Sequence, residues 1–200
     1  REQRFRPATD RLVVTSWNAV AISSLVTGAL IWNEPHWLEL ALGAARHLAD
    51  LHLQGDGLRH SSLEGVVNPE AGTPEDFGAT AEAFALLAGA TGDATWLRRA
   101  EVLCDQALEL FGADDGGFYD SRSGELFVRP RSGTDHVTPS AAGALIRALR
   151  RVGLLAERPD LLARADRASA TTWDVLAADP RFAGSALEDL MIADEARRGL

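Results

Sequence analysis

A repeat limits what this chain can fold into. Thr15-Ser16-Trp17-Asn18, Thr73-Pro74-Glu75-Asp76 and Thr138-Pro139-Ser140-Ala141 recur at intervals of 58 and 65 residues, and each threonine precedes a stretch rich in Ala, Leu and Gly. Trp37, Trp96 and Leu161 open a second register, spaced by 59 and 65. From Trp96, apolar residues at Leu97, Ala100, Leu103, Cys104, Ala107, Leu108 and Phe111 form one stripe of helical period with charges between. That stripe marks an outer, half-exposed helix, and Trp37, Leu38, Ala41, Ala44, Ala45 and Leu48 repeat its first steps. The two registers predict three helical hairpins, about 15–53, 73–111 and 138–177, in an all-α fold. The inner helices, about 16–31, 74–90 and 139–152, carry few charges and belong inside. Residues 178–200 begin a further element, helical over 186–198.

The links also repeat. Those from inner to outer helix are short, whereas 53–73 and 111–138 are long and hold strand-like pieces. Asp56-Gly57-Leu58-Arg59-His60-Ser61 matches Gly116-Gly117-Phe118-Tyr119-Asp120-Ser121. In the second loop, Gly117–Asp120 and Glu125–Arg129 flank Ser121-Arg122-Ser123-Gly124, which predicts a small β-hairpin. Long loops in a compact domain are commonly functional, and both fall at the end that holds the N-termini of the inner helices. Unpaired backbone N–H groups and partial positive charge would face a common mouth there, so a ligand site is expected at that end.

The 200 residues, 46% of them hydrophobic, suffice for one globular unit with a core. A net charge of −9 argues against nucleic acid or an anionic membrane and favours a neutral or cationic small molecule. Cys104 is alone, so the chain has no internal disulfide or Cys-x-x-Cys site, and a reducing cytoplasm is the expected compartment. Its place in the apolar stripe reads as packing. The uncharged run Leu12 to Asn33 is long enough to span a bilayer, but its Ser, Thr and Asn residues suit a helix enclosed by other helices instead. No signal peptide is apparent, and a start on Arg1 suggests a piece of something longer.

Glu75 and Asp76 are the acid/base candidates, because paired carboxylates or carboxylate and imidazole groups move protons in sugar chemistry. Thr73, Pro74 and Asp76 equally fit the N-cap, N1 and N3 positions of a capping box, which gives Asp76 a structural alternative. Trp17 and Asn18 hold the matching place on the first inner helix. Their indole face and amide suit a sugar ring and its hydroxyls, or else core filling and a loop carbonyl. Ser140 is a ligand-binding candidate; without a Gly-x-Ser-x-Gly elbow it does not read as a nucleophile. Asp135 and His136 lie in the loop that delivers the third inner helix. His60 and Asp120 occupy equivalent loop positions that can face each other across the mouth, with Arg129 nearby. No motif points to a metal or other cofactor.

Thr15-Ser16-Trp17-Asn18, Glu75-Asp76-Phe77, Thr91-Gly92-Asp93-Ala94-Thr95-Trp96-Leu97, Asp115-Gly116-Gly117-Phe118-Tyr119-Asp120 and Asp135-His136-Val137-Thr138-Pro139-Ser140, taken in order, carry a resemblance over about residues 8–178. They resemble the helical region of thioredoxin-domain-containing proteins related to a spermatogenesis-associated protein. That region is similar to the (α/α)6 toroids of N-acylglucosamine 2-epimerases and six-hairpin glycosidases. The resemblance implies that the chain supplies about half a toroid, without the thioredoxin-like domain. It also implies a carbohydrate-like ligand and makes His60 and His136 candidates for proton transfer. The chain has Ala141-Ala142 where the family usually has Gly-Asn, and His136 where a small residue is common. The absent Asn and the two Ala residues after Ser140 favour a second expectation, a non-catalytic docking module for a thioredoxin-like domain or a protein partner. Three hairpins cannot close a ring, so association with the remainder of a longer chain or with another copy is expected at the open flanks.

Overall fold

A computed structural model describes residues 9–55, 57–124 and 127–198. Among them are seven α-helices: α1 (Thr15–Trp32), α2 (Pro35–His47), α3 (Pro74–Thr91), α4 (Ala94–Phe111), α5 (Ala141–Leu155), α6 (Pro159–Ala178) and α7 (Gly184–Arg198). The inner helices α1, α3 and α5 stand side by side with α7 beyond α5, and α2, α4 and α6 each pack against the inner helix preceding them. The three hairpins read from the repeat are present, and α7 follows them.

The helix boundaries follow local chemistry. Pro35, Pro74 and Pro159 begin α2, α3 and α6, where the missing N–H costs nothing and the fixed φ suits a first turn. Gly92 ends α3 at φ 73°, a left-handed conformation that lacks a Cβ penalty in glycine. Asp93 then caps α4 by accepting from Thr95 N–H at 2.8 Å. The third inner helix begins at Ala141, because Ser140 is its cap and accepts from Gly143 N–H at 3.1 Å. The three repeated threonines thus take different positions. Thr15 is buried inside α1, Thr73 caps α3, and Thr138 is exposed ahead of Ser140.

The core lies between the two helical layers. Ile22 of α1, Phe77 and Phe84 of α3, Leu103 and Phe111 of α4, and Leu145, Ile146 and Leu149 of α5 are essentially excluded from water. Phe77 meets Phe111 edge-on at 5.6 Å, and Phe84 meets Trp96 at 5.0 Å, geometries that aromatic quadrupoles favour. Cys104 is part of this core, and burial pushes its thiol well above the usual range.

Two expectations about the inner helices need correction. First, α1 is not enclosed on all sides: Ala19, Ile22, Val26 and Ala29 are buried, whereas Trp17, Leu30, Ile31 and Trp32 are 61–66% exposed. Its helical neighbours among the described residues are α2 and α3, which leave one apolar flank without a helix against it among those residues. Among the described residues no helix is long and apolar enough to cross a membrane. Second, α5 is not poor in charge. Arg147 and Arg150 are buried, and acids on neighbouring helices hold them: Glu82 and Glu188 for Arg147, Asp166 and Asp189 for Arg150.

Small sheets form in the first long loop. A π-helical turn at Leu48–His52 ends the α2 segment, and β2 (Leu53–Gln54) pairs with β3 (Gly57–Leu58). β1 (Leu12–Val14), β4 (Ser61–Leu63) and β5 (Val66–Val67) make an antiparallel sheet in the order β1-β4-β5. β1 runs directly into α1, so this sheet holds the start of that helix. The hairpin expected in the second loop falls partly on Glu125 and Leu126, outside the described residues. Its described parts contain no strand; instead an isolated bridge joins Gly112 to Phe118, and Asp120 N–H donates to the Pro130 carbonyl at 2.9 Å.

Candidate functional site

The N-terminal ends of α1, α3 and α5 converge on one cleft of ≈ 490 Å³. Ser16 and Trp17 come from α1, Thr73 and Glu75 from the start of α3, and Thr138 and Pro139 from the approach to α5. Leu12, Val14, Val20, Ala79 and Ala144 provide apolar wall, while His60 and Arg147 complete the lining. The expected convergence of inner-helix termini is therefore present. The expected unpaired N–H groups are largely satisfied by the chain's own side chains.

Asp76 is the main reason. Its side chain is fully buried; Oδ1 accepts from Ser16 N–H at 2.9 Å, and Oδ2 accepts from Thr73 N–H at 2.8 Å and from the Thr73 hydroxyl at 3.1 Å. Thr73 Oγ1 accepts from Asp76 N–H in return, so the capping box is complete. One carboxylate thus serves the starts of two helices whose joined residues lie 60 apart in sequence. The same Oδ2 lies 2.7 Å from Nδ1 of His60. The pair fixes the imidazole with Nδ1 toward the carboxylate and leaves Nε2 as its other ring nitrogen. Asp76 therefore caps two helices and also holds a histidine of the cleft.

Glu75, one residue earlier, is half-buried in the cleft lining and has no hydrogen bond or ion pair among the described residues. Trp17 presents its indole at 65% exposure. Arg147 reaches the cleft from α5; its Nε and Nη2 lie 3.2 Å from Glu82 Oε2, and its Nη1 donates to Glu188 at 3.0 Å. A second groove of ≈ 540 Å³ shares Val20, Ala79, Pro139 and Arg147 with the cleft and continues toward Ile31 and Trp32.

The other sequence candidates lie outside the cleft lining. Asn18 donates to the Val14 carbonyl at 2.8 Å, one turn back. Asp135 accepts from Ser140 N–H and from both the N–H and hydroxyl of Ser185, so it tethers the start of α5 to the start of α7. Burial acts to raise its carboxyl, but those hydrogen bonds outweigh it and hold the pKa below the usual carboxylate range. Ser140 caps α5, and His136 is exposed beside the cleft-lining Thr138. Asp120 accepts from Ser132 N–H at 2.8 Å within the second loop, where burial pushes its carboxyl up. Arg129 donates to the Ser121 and Leu110 carbonyls and lies 3.9 Å over the Tyr119 ring. His60 and Asp120 thus do not face each other across this opening. Among the described residues no group of three or more His, Cys, Asp or Glu side chains is placed to hold a metal ion.

Beneath the cleft floor, Thr15 Oγ1 donates to the Arg59 carbonyl at 2.6 Å and lies 2.6 Å from Nδ1 of His52. A hydroxyl has one proton, so Nδ1 must be the donor in that contact, and Nε2 accepts from Ser62 Oγ at 2.9 Å. His52 is fully buried and is held neutral: burial first, and the charge of His47 second, lower its pKa from 6.5. The unfolded chain takes up this proton as pH falls through about 6.5, while the folded chain resists, so stability is lost downward from there. The urea midpoint is expected to fall between pH 7 and pH 5, with a slope of up to about 1.4 kcal/mol per pH unit from this group. His52→Gln should flatten that slope even though it lowers stability at pH 7. An unchanged slope would remove His52 as its cause.

No protein-family model matches the chain, and no curated protein matches it in sequence. Solved structures do match its fold. A GH76 α-mannanase from Bacteroides thetaiotaomicron aligns with a TM-score of 0.76 at 16% identity, over 96% of this chain and 55% of that one. Cellobiose 2-epimerase from Spirochaeta thermophila aligns at 0.64 and 17% identity, over 80% and 43% of the two chains. The unsaturated glucuronyl hydrolase of Bacillus sp. GL1 aligns at 0.63 and 17% identity, over 84% and 49%. The chain spans about half the length of these proteins. It has the fold of half an (α/α)6 six-hairpin toroid, an architecture shared by carbohydrate epimerases, isomerases and glycoside hydrolases.

Proposed function

We propose that this chain forms the ligand-binding half of a toroid that takes a carbohydrate-like small molecule and moves a proton on it. The observation that carries this reading is the 2.7 Å His60–Asp76 pair in a cleft that also holds Trp17 and the unpaired carboxylate of Glu75. Trp17 is assigned to stacking on a sugar face. His60 Nε2 is the acid/base group, Asp76 its positioning residue, and Glu75 a second acid/base group. For an open-chain aldose, one group removes the proton at C2 to give an enediolate, and a proton returned to C2 from the other face restores the aldehyde and completes an epimerisation.

The test is solvent exchange. The protein is incubated with mannose or cellobiose in D2O, and deuterium at C2 is followed by NMR. Incorporation that Glu75→Gln slows by tenfold or more, and that His60→Asn abolishes while ligand binding persists, is the expected outcome. Exchange at an unchanged rate in both variants rules these groups out as the proton carriers. The second reading is a docking platform for a thioredoxin-like domain or another protein, and the bare apolar flank of α1 favours it. It predicts that none of these sugars perturbs the Trp17 resonances.

A further inference from the structure

The charges around the cleft bear on which hydroxylated ligand it takes. Among the described residues, Glu75, Arg147 and His60 are the ionisable ones that line it. Arg147 is already held by two carboxylates, Glu82 and Glu188, and its side chain is only 8% exposed. An arginine so neutralised has little left to offer an anion, and prying it loose would strand buried charge. His60 is engaged by Asp76.

Helix N-termini ordinarily attract anions, and three of them meet here. Part of their demand is met from within the chain. Asp76 accepts from Ser16 N–H and Thr73 N–H at the starts of α1 and α3, and Asp135 accepts from Ser140 N–H at the start of α5. Glu75 is the cleft carboxylate left over. It shares the cleft with Trp17, whose π-face attracts cations, and with uncharged walls that weaken screening.

Resting on the carbohydrate reading above, we infer that the cleft selects an amine-bearing ligand, an amino sugar as its ammonium form, over the neutral sugar and over a uronate. The ammonium pairs with Glu75, and the ring lies on the Trp17 indole. An ion pair in a partly buried cleft, together with an aromatic face, corresponds to about a tenfold preference for the amine.

Glucosamine, glucose and glucuronate are titrated into the protein at low ionic strength, with Trp fluorescence and ligand-observed NMR as readouts. Glucosamine should bind about tenfold more tightly than glucose, and glucuronate most weakly. Added salt should narrow the gap, and Glu75→Gln, checked for folding by circular dichroism, should bring the glucosamine-to-glucose ratio close to one. Equal affinity for glucosamine and glucose, or a preference for glucuronate, overturns the amine assignment and leaves the sugar reading in place. Failure of all three to bind overturns the sugar reading and the amine assignment with it.

Discussion

Gly78→Ala is expected to destabilise the protein by about 3 kcal/mol, although alanine is the better helix former by about 1 kcal/mol. A Cβ at this position of α3 would sit 2.6 Å from the Ala144 carbonyl carbon, 2.7 Å from Leu145 N and 2.8 Å from the Ala144 oxygen. All three are backbone atoms of α5, so no rotamer change relieves the clash and the two helices must move apart. They form the central pairing of the inner layer, between α1 on one side and α7 on the other. Gly89, on the same helix and exposed, provides the control: nothing lies within 4 Å of its added Cβ. Gly89→Ala should stabilise by up to about 1 kcal/mol. Urea midpoints that moved in the same direction for both variants would refute close backbone approach as the reason for Gly78.

Asp76→Ala should cost about 3 kcal/mol, because it removes a buried acceptor shared by two partly buried backbone donors, a hydroxyl and an imidazole. Ordinary cap deletions cost about 1 kcal/mol, so the excess measures the tie between α1 and α3. Asp76→Asn keeps an acceptor for one helix start and should lose about half as much. The same variants should release the His60 ring, seen as a change in its tautomer balance by nitrogen NMR. A loss near 1 kcal/mol would mean that Asp76 caps α3 alone and that Ser16 finds another partner.

Much of this architecture is legible in the sequence. The intervals between Thr15, Thr73 and Thr138 located the inner helices within a few residues, and the stripe from Trp96 to Phe111 located an outer one. The capping box at Thr73 and Asp76 was also legible, since its spacing is local. The same residue's reach to Ser16 and His60 was not, because those partners are set by tertiary packing over 60 and 16 residues. Trp17, Glu75 and His60, which the repeat places near the inner-helix starts, line one opening. Arg147 was missed: charges at 147, 150 and 151 on an inner helix were the available signal, but their acidic partners on α3 and α7 are far away in sequence. The pairing of His60 with Asp120 failed for the opposite reason. Matching loop sequences do not ensure matching loop paths once one loop joins a sheet with β1 and the other folds around Arg129 and Tyr119.

The seams between successive inner helices differ in kind. α1 meets α3 through side chains that shun water, locked by one cap; α5 meets α7 through guanidinium and carboxylate groups. Chilling weakens contacts of the first sort, whereas acid discharges those of the second. Cold therefore acts on the arc chiefly through the α1–α3 contacts, whereas acid acts on the α5–α7 charge pairs as well as on the carboxylate and imidazole at the start of α1.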